Sequence, residues 1–69
     1  MVFKGTLGSG GTQTTVPTPA AEYKKGWTYK VVTAGTYAGN TCEVGDLFIA
    51  INDAPSTGSS VINADWTVV

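Results

Sequence analysis

The sequence predicts a small all-β domain of short antiparallel strands. Nine glycines are spread over the 69 residues, and no long window keeps apolar residues at helical spacing. Short apolar runs instead alternate with polar residues between turn-forming positions, which is the pattern of half-buried strands. A chain of this length holds one small core, which on its own yields only about 3–5 kcal/mol of net stability.

The first predicted strand is VFKGTL, Val2 to Leu7, in which alternation places Phe3, Gly5 and Leu7 on one face. Residues 8–20 follow as GSGGTQTTVPTPA, with three glycines, two prolines and no charge. This composition is typical of a flexible or polyproline-II connector. We therefore expect a Gly/Thr/Pro-rich linker or long loop after the first strand.

The clearest strand is WTYKVVT, residues 27–33, in which aromatic and β-branched side chains dominate. Its alternation directs Trp27 and Tyr29 toward the core. The following YAGNTC, residues 37–42, contains a Gly-Asn turn, and Val-Gly-Asp at 44–46 forms a second turn. We expect this middle stretch to connect strands.

The strand DLFIAIN, residues 46–52, is apolar on two faces. One face holds Leu47, Ile49 and Ile51, and the other holds Phe48 and Ala50. A thin domain covers one face of such a strand with its own core, so the second face needs another cover. A further copy of the chain is the natural cover, and we expect Phe48 to contact it. The expected interface residues are Phe48, Ala50, Phe3 and Leu7.

The polar loop DAPSTGSS, residues 53–60, separates this strand from the last one, DWTVV, residues 65–69. Because an apolar strand runs to the last residue, we interpret the sequence as part of a longer protein. The expected organisation is an N-terminal strand with its linker over residues 1–20 and a small β module over residues 21–69.

Composition excludes several classes of function. Four lysines, no arginine and five acidic residues give a net charge of -1, so we expect no nucleic-acid partner. The sequence has no histidine, and its single cysteine cannot form an intrachain disulfide or a zinc site. It also lacks a long apolar run and a signal-peptide stretch, so we expect a soluble chain without membrane insertion. One cysteine in so small a chain indicates synthesis in a reducing cytosol.

Four acidic residues raise the question of a carboxylate pair for glycoside hydrolysis. They are Glu43, Asp46, Asp53 and Asp65. Each lies at a predicted turn, where a short acid caps its own backbone, and so small a chain has little room for a deep cleft. The hydroxyl and thiol nucleophiles lack a histidine partner, and we expect Cys42 to pack as a small apolar side chain. We therefore expect no enzymatic activity.

Two further motifs resemble ligand sites without fulfilling their requirements. Asn52, Asp53 and Asp65 offer oxygen ligands for calcium, but their spacing fits no EF-hand loop and is typical of turns. The segment GTLGSGG, residues 5–11, has the glycines of a phosphate loop but no Lys-Ser/Thr pair and no predicted helix after it. We therefore expect no metal ion and no cofactor.

The aromatic residues support an alternative function. Trp27, Tyr29 and Trp66 lie at strand positions that favour core packing. A small carbohydrate-binding module would instead expose aromatic rings that stack on sugars of a host surface. Tyr23 and Tyr37 flank turns, so they are the candidate glycan contacts, and the exposure of the two tryptophans discriminates between the two functions.

Three stretches carry a resemblance to a known group of proteins. They are KKGWTYKVVTAGTYAG, CEVGDLFIAIND and ADWTVV, within residues 22–69. Together they resemble short β-rich modules of tailed-bacteriophage fibre and head-fibre proteins. In that pattern a glycine turn precedes an aromatic strand, a pair such as Gly45-Asp46 precedes an apolar strand, and a tryptophan strand closes the module.

The resemblance implies a non-catalytic structural module that is homotrimeric and attached to the virion. Such a module builds, caps or connects a fibre or decorates the head, and it contacts other virion proteins and, in some roles, host-surface glycans. Synthesis would take place in the host cytoplasm and the mature protein would reside in the virion. The residues alone indicate more than one copy, and a dimer satisfies that argument as well as a trimer does.

Overall fold

The computed structural model describes all residues from Met1 to Val69, and its regular structure consists of strands and two single turns of 3-10 helix. The strands are β1 (Val2–Leu7), β2 (Trp27–Val31), β3 (Gly35–Tyr37), β4 (Asn40–Cys42), β5 (Leu47–Ala50) and β6 (Trp66–Val68). The 3-10 turns span Pro19–Ala21 and Asn63–Asp65. None of the helical segments has the length and hydropathy that a membrane-crossing helix requires.

The all-β prediction is confirmed, with one correction to strand direction. The main sheet has four strands in the order β1-β2-β5-β6, and β3 and β4 form a separate two-stranded sheet. β5 pairs antiparallel with both β2 and β6, whereas β1 runs parallel to β2. The sheet is therefore mixed, because residues 8–26 carry the chain back to the starting end of β1 before β2 begins.

A bulge in β1 overturns the predicted common face of Phe3, Gly5 and Leu7. Phe3 pairs with Thr28 and Gly5 with Tyr29, so two neighbouring residues of β2 face three residues of β1 and Lys4 is the extra one. Phe3 and Gly5 consequently lie on opposite faces of the sheet. Gly5 has a φ of 147°, and a Cβ there would collide with the Thr12 hydroxyl. Glycine is therefore needed at this position.

Residues 8–20 form a loop that packs on β1, so the linker interpretation is wrong and the long-loop interpretation holds. The Gln13 N–H donates to the Thr6 carbonyl at 2.9 Å, and the Gly8 N–H donates to the Gln13 carbonyl at 2.9 Å. The backbone N–H groups of Thr6 and Thr12 each donate to the other residue's hydroxyl. Val16 is buried. Residues 1–20 therefore share one sheet and one core with residues 21–69.

The middle stretch forms a β-hairpin rather than a simple connection. Ala38 and Gly39 link β3 to β4, and both have positive φ, at 50° and 77°, as the two central residues of a type I′ turn require. The Tyr37 ring meets the Phe48 ring edge-on, with centroids 6.3 Å apart. This contact packs the hairpin against one face of the main sheet.

That covered face, which we call the inner face, holds the core of the molecule. The Phe48 ring stacks on the Trp66 ring with centroids 4.9 Å apart and planes inclined by 15°. The Tyr23 and Tyr29 rings contact Trp66 from other sides, at 4.8 and 6.3 Å. The buried apolar residues are Leu7, Val16, Tyr23, Tyr29, Val31, Cys42, Phe48, Ala50 and Trp66.

Three of the four predicted interface residues belong to this core. Leu7, Phe48 and Ala50 are buried within a single chain, so they present no surface to a neighbour and their prediction as interface residues is wrong. The physical reason is that the loop over residues 8–20 and the β3–β4 hairpin cover the inner face. Phe3, the fourth residue, is 61% exposed.

Candidate functional site

The opposite side of the main sheet, which we call the outer face, carries apolar side chains interspersed with threonines. Strand register places Phe3, Thr28, Ile49 and Thr67 in one row across the four strands. A second row contains Thr6, Lys30 and Leu47, and Leu47 exchanges backbone hydrogen bonds with Val69 at 3.1 and 2.9 Å. Lys30 is the one charged side chain in these two rows. Phe3, Ile49, Leu47 and Val69 therefore distribute apolar side chains over this face from β1 to the end of the chain.

The burial of individual residues shows how this surface is arranged. Phe3 at the β1 side is 61% exposed, and Ile51 beyond the end of β5 is 42% exposed. Leu47 and Ile49 between them are half-buried. Thr28 is fully buried, and its hydroxyl donates to the Gly26 carbonyl at 3.0 Å. The Thr28 hydroxyl at the centre of the outer face thus has a partner within its own chain, so covering this face would not leave it without a hydrogen bond.

The edge beside this surface is only partly occupied. Gln13 forms a bridge to Leu7 at the second half of β1. No strand pairs with the first half, Val2 to Lys4, on that side, because β1 is the terminal strand of the sheet. Met1, Val2 and Phe3 are all exposed. An unpaired apolar edge next to an apolar face is a typical contact region for another β-sheet.

A polar network on the inner side, buried at Tyr23 and Asp65, involves three residues that the sequence analysis considered for ligand sites. The Tyr23 hydroxyl donates to Asp65 Oδ2 at 2.6 Å, and the Asn52 amide donates to Asp65 Oδ1 at 3.2 Å. Tyr23 is fully buried and Asp65 is nearly so. Burial, and then the hydrogen bond to Asp65 and its negative charge, raise the pKa of Tyr23 to about 12.

These contacts overturn the assignment of Tyr23 as a glycan contact, because its ring and hydroxyl are inaccessible to a sugar. They also engage both oxygens of Asp65, the residue considered for calcium. Asp46 Oδ2 caps its own turn by accepting from the Glu43 N–H at 2.8 Å. Asp53 Oδ1 accepts from the Lys25 N–H at 2.8 Å and so connects two distant segments of the chain. No three His, Cys, Asp or Glu side chains form a group that could hold a metal ion.

Cys42 packs as a small apolar residue, as the sequence analysis expects. It is buried, and its thiol lies 3.5 Å from the Asn40 carbonyl as a weak donor. Burial, and then the charge of Asp46, raise the pKa of the Cys42 thiol. The thiolate that attacks thiol reagents is therefore disfavoured in the folded chain.

We expect the Cys42 thiol to resist 5,5′-dithiobis(2-nitrobenzoate) at pH 8 in the native protein and to react fully in denaturant. The physical reason is that both burial and the raised pKa suppress attack on the reagent. The measurement is the release of the coloured thiolate over time, with and without urea. Equally rapid reaction in the two conditions would contradict the buried position of Cys42.

Two open clefts lie outside the outer face. One, of about 310 Å³, is lined by Glu22, Lys24, Trp27, Ala54, Pro55 and Ser56. We call it the Trp27 cleft. The other, of about 390 Å³, lies between the loop over residues 8–20 and the hairpin, and Tyr37 and Asn63 are among its lining residues. Tyr37, the second predicted glycan contact, is half-buried there, and its hydroxyl donates to the Thr33 carbonyl at 2.7 Å.

No family model, curated protein or solved structure matches this chain. The assignment of sites therefore rests on the geometry of the chain itself.

Sequence reasoning identified part of the candidate surface and missed the rest. It recognised that β5 has two apolar faces but selected Phe48 and Ala50 instead of Leu47, Ile49 and Ile51. It placed Phe3 at an interface, and the structure locates Phe3 on the outer face. It gave no role to Glu22 or Ser56, which line the Trp27 cleft. The only signal in the sequence was the cluster of polar residues directly before Trp27.

Proposed function

We propose that this chain is a non-catalytic structural module of a tailed-bacteriophage fibre or head fibre, which assembles as a homotrimer through its outer face. The observation that carries the proposal is a set of exposed or half-buried apolar side chains on the outer face of a domain whose core is already closed on the other side. These residues are Phe3, Leu47, Ile49, Ile51 and Val69. The likeness of residues 22–69 to fibre modules supports the phage assignment and the trimer. Residence in the virion and contacts with other virion proteins are parts of the same proposal.

The outer face has the chemistry of an assembly surface. Soluble monomers rarely leave large contiguous apolar patches in water, and stacked sheets bury such patches by packing face to face, about 10 Å apart. In a trimer the side chains of Phe3, Ile49 and Ile51 would point toward the common axis. Lys30 lies in the row nearer the end of the chain, where its long stem can cover apolar surface while its ammonium group stays in solvent.

The charged residues support a structural role. Asp46 caps its own turn, Asp53 accepts from the backbone of Lys25, and Asp65 accepts hydrogen bonds from Tyr23 and Asn52. These carboxylates stabilise the fold of the chain through their own hydrogen bonds. Assembly adds burial that one small core lacks, and it makes the stability of the module depend on concentration.

We expect Ile49→Lys and Ile51→Lys each to convert the assembly into monomers. Both changes place a charge on the outer face, where three copies would have to bury it without a partner. The measurement is the solution mass by sedimentation equilibrium over a dilution series, with circular dichroism to establish that the variants are folded. The parent chain should give a mass near three chains and a melting temperature that falls on dilution.

Val44→Lys is the matched control, because Val44 is an equally aliphatic residue that is 67% exposed, lies between β4 and β5, and belongs to neither row of the outer face. It should leave the mass unchanged. A parent chain that remains monomeric at every concentration would contradict the proposal. Folded Ile49→Lys and Ile51→Lys variants with an unchanged trimer mass would place the interface elsewhere.

A further inference from the structure

The Trp27 cleft has walls that are already fixed by hydrogen bonds in the free chain. One wall comes from residues 22–24 and the other from residues 54–56. The Ala54 N–H donates to the Tyr23 carbonyl at 2.8 Å, and the Lys25 N–H donates to Asp53 Oδ1 at 2.8 Å. These two bonds hold together segments that are about 30 residues apart. A preformed cleft binds a small ligand without first having to order its own walls.

The indole of Trp27 is held in place at this cleft. It is half-buried and packs against the core. The Lys4 ammonium lies 4.1 Å from the centroid of its ring, and Lys4 is not among the residues that line the cleft. The cation–π contact therefore orients the indole without filling the cleft. The part of Trp27 that lines the open cleft offers an apolar surface against which the C–H groups of a sugar ring can pack.

The polar groups around the indole match the hydroxyl groups of a sugar. Glu22 supplies a carboxylate acceptor, Lys24 supplies ammonium donors, and Ser56 supplies a hydroxyl that both donates and accepts. One negative and one positive charge leave the lining without net charge, which favours a neutral ligand. A neutral hydroxyl-rich ring uses acceptors and donors together.

The backbone at Glu22 is a second unusual feature of this cleft. Glu22 adopts left-handed φ and ψ of 56° and 40° at the end of the Pro19–Ala21 turn, and its N–H donates to the Pro19 carbonyl at 2.9 Å. Residues other than glycine, asparagine and aspartate rarely adopt this conformation, and they concentrate at sites where a particular side-chain position is needed. Glu22 caps the Pro19–Ala21 turn in this conformation and lines the cleft.

We propose that the Trp27 cleft binds one neutral pyranose unit of a glycan, which stacks on Trp27 and hydrogen-bonds to Glu22, Lys24 and Ser56. Its volume of about 310 Å³ lies at the lower end of the range for ligand sites, so it suits a single ring. We expect a Kd on the order of 1 mM, because one small ring buries little surface. The cleft shares no residue with the outer face, so an assembled module would present several such sites and bind a multivalent glycan more tightly.

The test is a titration of the ¹⁵N-labelled chain with the methyl glycosides of glucose, galactose and N-acetylglucosamine, and separately with galacturonate, followed by NMR. At least one neutral glycoside should shift the Trp27 indole N–H saturably. The buried Trp66 indole N–H in the same spectrum should not move. Glu22→Gln should weaken binding about tenfold through loss of a charged acceptor, while Glu43→Gln, an acid in the turn before β5, should bind as the parent does.

Three results would overturn the proposal. The first is the absence of a saturable shift with every neutral glycoside. The second is binding of galacturonate alone, which would indicate recognition of an anion by Lys24. The third is a saturable shift that survives unchanged in folded Glu22→Gln and Ser56→Ala variants, which would place the sugar outside this cleft. None of these results bears on assembly, which is measured separately by mass.

Discussion

Phe48→Ala is expected to unfold the isolated chain. Phe48 is fully buried, its ring stacks on Trp66 at 4.9 Å and meets Tyr37 edge-on at 6.3 Å, and its strand neighbours are Tyr29 and Val68. Removing a buried phenylalanine ring typically costs about 3–5 kcal/mol, which equals the whole net stability of about 3–5 kcal/mol that a domain of this size commonly has. Urea unfolding followed by circular dichroism measures the loss.

Phe3→Ala is the matched control, because it removes the same ring from a position that is 61% exposed. We expect its effect on monomer unfolding to stay within about 0.5 kcal/mol, as for most surface substitutions, while its effect on assembly should be large. A Phe48→Ala chain with the parent's unfolding midpoint would contradict the core position of Phe48. A Phe48→Asp chain that dissociates but stays folded would indicate that the interface lies on the inner face and includes Phe48.

The period-two pattern predicted β2, β5 and β6 because each is short, apolar and bounded by turns. The predicted strands over residues 27–33, 46–52 and 65–69 contain β2, β5 and β6. The same pattern did not predict which of the two faces of β5 packs into the core. Phe48 and Ile49 are both apolar neighbours on one strand, and which of them is buried depends on the loop and hairpin that fold over one side.

The N-terminal third shows a second limit of local patterns. Its composition indicated a flexible connector, yet threonine side chains and the edge of β1 supply hydrogen-bond partners to residues 8–13. The parallel pairing of β1 with β2 and the bulge at Lys4 also depend on contacts between distant residues. An alternating sequence specifies the two faces of a strand, but a single extra residue exchanges them.

Local patterns likewise predicted the positions of some candidate functional residues and not of others. Trp27 and Trp66 were correctly expected at the core, Trp66 fully and Trp27 in part. Tyr23 flanks a turn, as a glycan contact would, but Asp65, 42 residues away, holds its hydroxyl in the interior. The Trp27 cleft joins Glu22 and Lys24 to Ser56 through a hydrogen bond between Ala54 and Tyr23, and no local pattern contains that contact.

The hydroxyl of Tyr23 should make the stability of the fold depend on pH in the alkaline range. Its pKa rises from the ordinary 10.0 to about 12 in the folded chain, so the folded state favours the neutral phenol. The stabilisation is complete below pH 10 and is lost as the pH rises through 12. A shift of this size corresponds to about 3 kcal/mol, of which about 1.4 kcal/mol should be lost at pH 11. Urea midpoints between pH 8 and pH 11 measure it.

Tyr23→Phe separates this contribution from the others that act in the same direction. Burial also raises the pKa values of Tyr29 and Cys42, so these groups contribute a residual fall of stability with pH in the variant. At pH 8 we expect Tyr23→Phe to lose about 1.5–3 kcal/mol, because the buried Asp65 carboxylate keeps only its bond from Asn52. Its stability should then fall less steeply above pH 10 than that of the parent. If the variant showed the parent's pH dependence, folding would not raise the pKa of Tyr23. Its phenolate would then be tolerated in the core beside the carboxylate of Asp65.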